Sequence, residues 1–335
     1  MTEEELRQDV EAALGEHWRR PVRIERLVRR ACEYSASFAV DELDVVLSDG
    51  TRLELIHKEL GRGSMLETAK AVKPDFLLDP RREIEVYRTA LSAAGIETAP
   101  FYGAIERPDT GRFGILLGRI AGTHLWQVGE FGAWEAAARW LAGPHHGEAH
   151  RLANGCERLI RYDPEFHRVW IERARRFVCE SPARSAADRD AITGLAASYG
   201  QVVDCLSALP QMFIHGDYHA SNILCAGDDA RRSWRIRPID WEMAARGPAA
   251  IDLAALTAGN WSDEERNRMV SAYWNALPAD ARDRESLESL KASVEYCRLH
   301  WAVRWLGWSA HWSPPRTQAR DWLAEALTSA RRIGL

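Results

Sequence analysis

Three residues of this 335-residue chain stand at a spacing that chemistry can use: Asp217, Asn222 and Asp240. Asp217 closes the turn His215-Gly216-Asp217, which follows an apolar run, and Asn222 comes five residues later, just before Ile223-Leu224. A second run, 236–239, delivers Asp240 eighteen residues after the Asn. One carboxylate able to orient a hydroxyl, with an amide and a second carboxylate able to hold magnesium, is the set that phosphoryl transfer needs. That reaction asks mainly for alignment and neutralised charge. Magnesium suits such a sparse set, because it takes few protein oxygens and completes its shell with phosphate and water.

The elements that must position these groups are readable as patterns. A polar turn over 226–233 joins 223–225 to 234–239 as a hairpin, with Asn222 at one end and Asp240 at the other, so the two metal-ligand candidates meet. Near the N-terminus, Thr2 and Glu5 form a capping-box pattern ahead of a short amphipathic helix that ends near Gly15. Strand-like alternation over 22–28, 37–47 and 53–60, with Asp49-Gly50 as a hairpin signal, predicts a small antiparallel sheet. On the third strand Glu54, Ile56 and Lys58 share a face, which lets Lys58 reach nucleotide phosphates and Ile56 touch a base. Taken alone, Lys58 also reads as an exposed edge lysine. A polar insertion, 61–79, precedes a helix over 81–94 that turns Glu83 inward toward Lys58 and Glu85 away. A second hairpin, 100–106 with 113–119, runs into Leu117-Gly118-Arg119-Ile120, a hinge whose backbone groups suit a purine edge.

Beyond the hinge the chain reads as helical, over 134–142, 164–178, 186–209 and 286–312. The last of these carries a stripe of Leu287, Leu290, Val294, Cys297, Trp301, Trp305, Trp308 and Trp312. Core packing accounts for most of it, with Trp305 and Trp308 as the exceptions that could offer a flat apolar wall to a substrate ring. His146 and His150 have the spacing of a zinc pair, but the Glu between them is not in the zinc-protease position and Gly147 weakens the helix, so packing is the better reading.

Length beyond the usual limit of one core predicts two lobes around a cleft, with an N-lobe over 1–116, a hinge over 117–123 and a helical C-lobe over 124–335. A net charge of -5 argues against nucleic acid as the main partner. No run is long enough to span a bilayer, and the acidic first residues are unlike a secretory leader, so a cytoplasmic protein is expected. Six scattered cysteines read as reduced thiols.

Assembled, these residues resemble the aminoglycoside phosphotransferase family of protein-kinase-like small-molecule kinases. The resemblance is carried by His215-Gly216-Asp217 through Asn222, by Ile239-Asp240-Trp241-Glu242, and by Gly247-Pro248 with Asp252-Leu253-Ala254. It is closest over 214–256 and holds in outline from 22. It implies an α+β, bilobal fold with a small antiparallel N-lobe sheet and a larger helical C-lobe. It also implies ATP or GTP as phosphate donor, with Mg2+. By position, Asp217 would be the catalytic base or hydroxyl-orienting group, with His215 bracing its loop. Asn222 and Asp240 would hold magnesium, Lys58 would contact phosphates and be fixed by Glu83, and Asp252 would steady the catalytic loop. Where kinases carry a glycine-rich loop this chain has 32–38 without Gly, so Ser35 and Ser37 would let backbone amides approach the phosphates. The absence of a long activation segment after Asp240 disfavours peptide substrates. The expected activity is an O-phosphotransferase acting on an antibiotic, a sugar, an amino alcohol or a natural-product intermediate. A nucleotide-binding scaffold with little turnover, or a metal-dependent hydrolase using His219, are the alternatives.

Overall fold

The structure is a computed structural model that describes residues 2–32, 37–228, 233–308 and 320–335. Helix α1 (Glu3–Trp18) starts on the capping box: the Thr2 hydroxyl accepts the Glu5 N–H while the Glu5 carboxylate accepts the Thr2 N–H. Strands β1 (Ile24–Ala31), β2 (Val40–Leu47) and β3 (Arg52–Glu59) follow. Two short helices, α2 (Glu67–Val72) and α3 (Arg82–Val86), then lead to β4 (Phe101–Arg107) and β5 (Arg112–Gly118). The five strands form one antiparallel sheet in the order β1-β2-β3-β5-β4. Strand alternation separates its faces. Leu43, Val45, Leu55 and Leu116 pack under Leu6, Val10 and Leu14 of α1, whereas Ile56, Ile115 and Leu117 join a second core with Ile84, Tyr87 and Trp241.

The helix expected over 81–94 is shorter and changes winding. After α3 it continues as one π turn, Tyr87–Leu91, with the Ser92 N–H donating to the Tyr87 carbonyl five residues back. Tyr87, Ala90 and Leu91 are buried along this turn. Glu85 faces away from Lys58, and its carboxylate accepts the N–H groups of Glu157 and Arg158 at 3.2 and 2.9 Å.

The second lobe is mainly helical. In chain order it contains β6 (Thr123–His124), α4 (Phe131–His146), α5 (Glu148–Leu152), β7 (Ile160–Arg161), α6 (Pro164–Glu180), α7 (Ala186–Ser198) and α8 (Gly200–Ala208). Strands β8 (Gln211–Ile214), β9 (Ile223–Asp228), β10 (Ser233–Pro238) and β11 (Ala245–Pro248) carry the motif-bearing segment. Helices α9 (Ala250–Leu256), α10 (Asp263–Ala276), α11 (Ala279–Arg284), α12 (Leu287–Trp308) and α13 (Trp322–Arg332) close the lobe. The single helix expected over 186–209 is two, divided where the buried Tyr199 meets Gly200, a poor helix former. Along α12, Leu290, Val294, Cys297 and Trp301 are buried as the stripe predicts, while Trp312 lies outside the described residues.

At the centre of this lobe His167 Nδ1 lies 3.2 Å from His300 Nε2, and the Tyr199 hydroxyl lies 3.0 Å from His300 Nδ1. Burial disfavours the imidazolium form, holding His167 down at about 4 and His300 well below the ordinary value of 6.5. Both are therefore neutral when folded, and the unfolded chain takes up the protons as pH falls below about 6.5. Each such histidine then removes about 1.4 kcal/mol of stability per pH unit until its folded value is reached. Thermal melts are expected to be flat from about pH 8 to 7 and to fall steadily below about 6.5; a Tm that rises on acidification would contradict this account.

Candidate active site

The catalytic-loop candidate is built by backbone constraints before any side chain enters. Gly216, between β8 and Asp217, has φ +75, and a Cβ there would stand 2.2 Å from the Met243 carbonyl oxygen, so only glycine fits. The N–H groups of His215 and Gly216 donate to the two carboxylate oxygens of Asp252 at 2.8 and 2.9 Å. Asp252 is fully buried in α9 and also lies 3.1 Å from His145 Nε2. The His215 ring is buried beside Trp241 and Tyr218, with its Nε2 donating to the Ile239 carbonyl at 3.0 Å. Burial keeps this imidazole below its ordinary pKa. His215 thus ties the Asp217 turn to the segment that carries Asp240, and it does not line the cleft.

Asp217 faces that cleft with both oxygens engaged. Its Oδ1 accepts from Arg304 Nη2 at 3.1 Å, and its Oδ2 lies 3.2 Å from His219 Nε2 and 3.3 Å from Asn222 Nδ2. Asn222 Nδ2 also donates to the Asp217 carbonyl at 3.0 Å. Burial alone would raise the Asp217 pKa, but His219, Arg304 and His215 outweigh it and hold the carboxylate ionised well below the usual range. Arg304 is buried in α12, where it donates to the Gly216 carbonyl at 2.6 Å and the Tyr162 hydroxyl at 2.9 Å. Sequence reading missed this residue. The available signal was a guanidinium between Trp301 and Trp305 on a helix otherwise facing the core.

On the opposite side Lys58 Nζ lies 2.8 Å from Glu83 Oε2, 2.6 Å from Asp240 Oδ1 and 3.8 Å from Glu242 Oε2. Burial penalises the ammonium, but the carboxylates of Asp240, Glu83 and Glu242 override it, and Lys58 stays protonated. Glu83 uses its other oxygen to accept the Trp241 N–H at 3.1 Å. Asp240 itself sits at φ 64, a left-handed conformation uncommon for a non-glycine residue and concentrated at functional sites. Two further members, Lys73 and Glu242, had no site role in the sequence reading: Lys73, just after α2, pairs with Glu242 at 2.9 Å, and the hydroxyl of Ser37, which was expected near the phosphates, donates to Glu242 at 3.2 Å. The scarcity of lysine, four in the whole chain, was the clue to Lys73.

One cavity of about 430 Å³ gathers these groups: Ser37, Lys73, Asp217, His219, Asn222, Asp240, Glu242 and Arg304, with Trp126, Trp305 and Trp308. The expected residues nearer the hinge lie elsewhere. Ile56 and Leu117 are register partners in β3 and β5. Arg119 gives its backbone N–H to the Glu54 carbonyl at 2.9 Å and its guanidinium to Glu54 and Glu42, so neither donor is directed at a purine. Ser35 lies outside the described residues. The donor set fits magnesium. Asp240 supplies a carboxylate and Asn222 an amide oxygen to one cavity, and the described residues contain no cluster of three or more His, Cys, Asp or Glu that would form an all-protein cage.

The Asp252 anchor has a measurable consequence. In Asp252→Asn one of the two backbone N–H groups of the loop faces an amide NH2 and loses its acceptor. Denaturant unfolding is expected to show a loss of roughly 2 kcal/mol. A change within about 0.5 kcal/mol would mean the loop is held by other contacts.

Comparison with known proteins follows the geometry. Residues 72–289 match the model of the phosphotransferase enzyme family. No curated protein sequence matches the chain. Among solved structures, a choline kinase from Cryptosporidium parvum Iowa II superposes with a TM-score of 0.56 at 14% identity, over 92% of this chain and 88% of that one. The GDP complex of a wild-type aminoglycoside 2'-phosphotransferase-IIIa gives 0.54 at 11% identity, covering 98% of each chain. A macrolide 2'-phosphotransferase from Brachybacterium faecium gives 0.51 at 17%, over 92% of this chain and 99% of that one. At these identities the structures speak for the fold, which is the α+β, bilobal, protein-kinase-like one expected from the sequence. The family match covers well over half of the residues, and the chain belongs to the phosphotransferase enzyme family as a small-molecule phosphotransferase.

Proposed function

We propose that the chain transfers the terminal phosphoryl group of ATP, or of GTP, to a hydroxyl of a small molecule in a magnesium-dependent reaction. The observation that carries this reading is the convergence of Asp217, Asn222 and Asp240 on one cavity, with Lys58 bonded to Asp240 at its edge. The N-lobe over 1–116 and the hinge over 117–123 would hold the nucleotide, and the helical lobe over 124–335 the acceptor. Bound magnesium, held by Asn222 and Asp240, would neutralise charge on the donor phosphates.

The residues of the chain divide the remaining work. Lys58 offers an ammonium already aligned by Glu83, and an incoming phosphate competes with Asp240 for it. Asp217 accepts the hydrogen bond of the acceptor hydroxyl and points that oxygen along the line of attack. A carboxylate held this firmly ionised is a weak base, so its contribution is orientation, with the proton leaving late in a loose transition state. Arg304 keeps Asp217 in place through Oδ1, and the acceptor hydroxyl would share Oδ2 with His219 and Asn222. Six free cysteines among the described residues agree with a cytoplasmic setting.

ADP release measured across a panel of hydroxylated acceptors tests the reading. The wild type is expected to show acceptor-dependent release, and Asp217→Asn to lose about 100-fold or more in kcat while the KM for ATP moves less than about threefold. Tight ATP binding with no acceptor-dependent turnover from any hydroxyl would instead identify a scaffold.

A further inference from the structure

The charges and rings of the cavity restrict what can sit over Asp217. Each carboxylate lining it already has a cation of the chain: Asp217 has Arg304 at 3.1 Å, Asp240 has Lys58 at 2.6 Å, and Glu242 has Lys73 at 2.9 Å. An ammonium entering a desolvated cavity needs a carboxylate of its own, because an unpaired buried charge is strongly disfavoured. Among the described residues that line the cavity there is no further carboxylate to supply one.

The apolar part of the lining includes two indoles, Trp305 and Trp308, tilted 43° to one another and each held in place. Trp305 stacks on Trp322 with ring centroids 5.6 Å apart and planes 11° from parallel, and Trp308 stacks on Trp170 at 5.7 Å and 8°. Each indole is therefore fixed in plane before anything binds, so a ring joining the stack gives up little wall freedom. Trp126 lines the same cavity and is 56% exposed, one of two large apolar side chains so exposed among the described residues. A cation could also be drawn to these faces, but the buried Arg304 guanidinium, 4.8 Å from the Trp301 ring centroid, and the Lys73 ammonium oppose a second positive charge.

From these observations we infer that the acceptor is an uncharged alcohol bearing a planar aromatic or heteroaromatic ring, seated with the ring against Trp305 and Trp308 and the hydroxyl on Asp217. The inference rests on the transferase reading for its chemistry but not for its binding. A cavity of about 430 Å³, part of which a donor phosphate must enter, limits the acceptor to one or two rings. Trp305, Trp308 and Trp322 all lie beyond the family-model match at 72–289.

The test compares four probes on the full chain with ATP and magnesium present: tyrosol, 1,6-hexanediol, choline and kanamycin. Binding is followed by tryptophan fluorescence and turnover by ADP release. Tyrosol is expected to bind about tenfold more tightly than each of the other three, and Trp126→Ala and Trp305→Leu each to weaken tyrosol about tenfold while ATP affinity changes less than about threefold. Because Trp126 is exposed, its variant keeps the test valid if Trp305→Leu unfolds. Stronger binding of choline or kanamycin, or equal binding of tyrosol and hexanediol, would overturn the inference. Tyrosol binding that is selective but yields no ADP release from any probe would support the ring site and count against the transferase reading instead.

Discussion

The Lys58 ammonium is the interaction on which the cleft depends. It comes from the sheet, and its carboxylate partners come from elsewhere, Glu83 from α3 and Asp240 from the segment after β10, both within 2.8 Å. A buried charge tolerates no missing partner, so the sheet, α3 and the Asp240 segment are held in one arrangement. Lys73 and Glu242 repeat the device one step outward, with Ser37 adding a hydroxyl from the stretch between β1 and β2. Such a cluster is poorly suited to stabilising a fold for its own sake, since apolar packing would serve as well. It is well suited to exchanging a carboxylate for a phosphate without exposing the ammonium to water.

On the other wall, one helix links two tasks. Arg304 of α12 fixes Asp217 and the Gly216 carbonyl, and its neighbour Trp305 lines the cavity. Any movement of α12 therefore alters the placement of the carboxylate and the shape of the cavity's apolar wall together. The rest of the loop is pinned from behind by Asp252, His215 and the glycine whose Cβ would strike Met243. Orientation is built into this site more strongly than basicity, which is what a phosphoryl transfer with a loose transition state requires.

The sequence exposed those parts of the site that arise from local rules. Hairpins, the Thr2 cap and the pairing of Lys58 with Glu83 follow from periodicity over short stretches, whereas the bracing roles of His215 and Asp252 are what the family resemblance implies. Arg304 was hidden because its partner Asp217 is 87 residues away and its own neighbours look like core. Lys73 lay in an insertion without periodicity, and its pairing with Glu242 exists only once the lobes meet. Arg119 went the other way. A hinge position suggested a nucleotide contact, yet Glu42 and Glu54 on adjacent strands claim its guanidinium, a cross-strand preference that spacing along one strand does not reveal.

The central claim is that Asp240 serves the metal-bound nucleotide and Asp217 the acceptor. Calorimetric titration of ATP with and without magnesium, on the wild type, Asp240→Ala and Asp217→Ala, addresses it most directly. The account predicts that Asp240→Ala loses the magnesium-dependent part of the affinity, about tenfold or more, while Asp217→Ala stays within about threefold of the wild type. Equal losses in the two variants would contradict it.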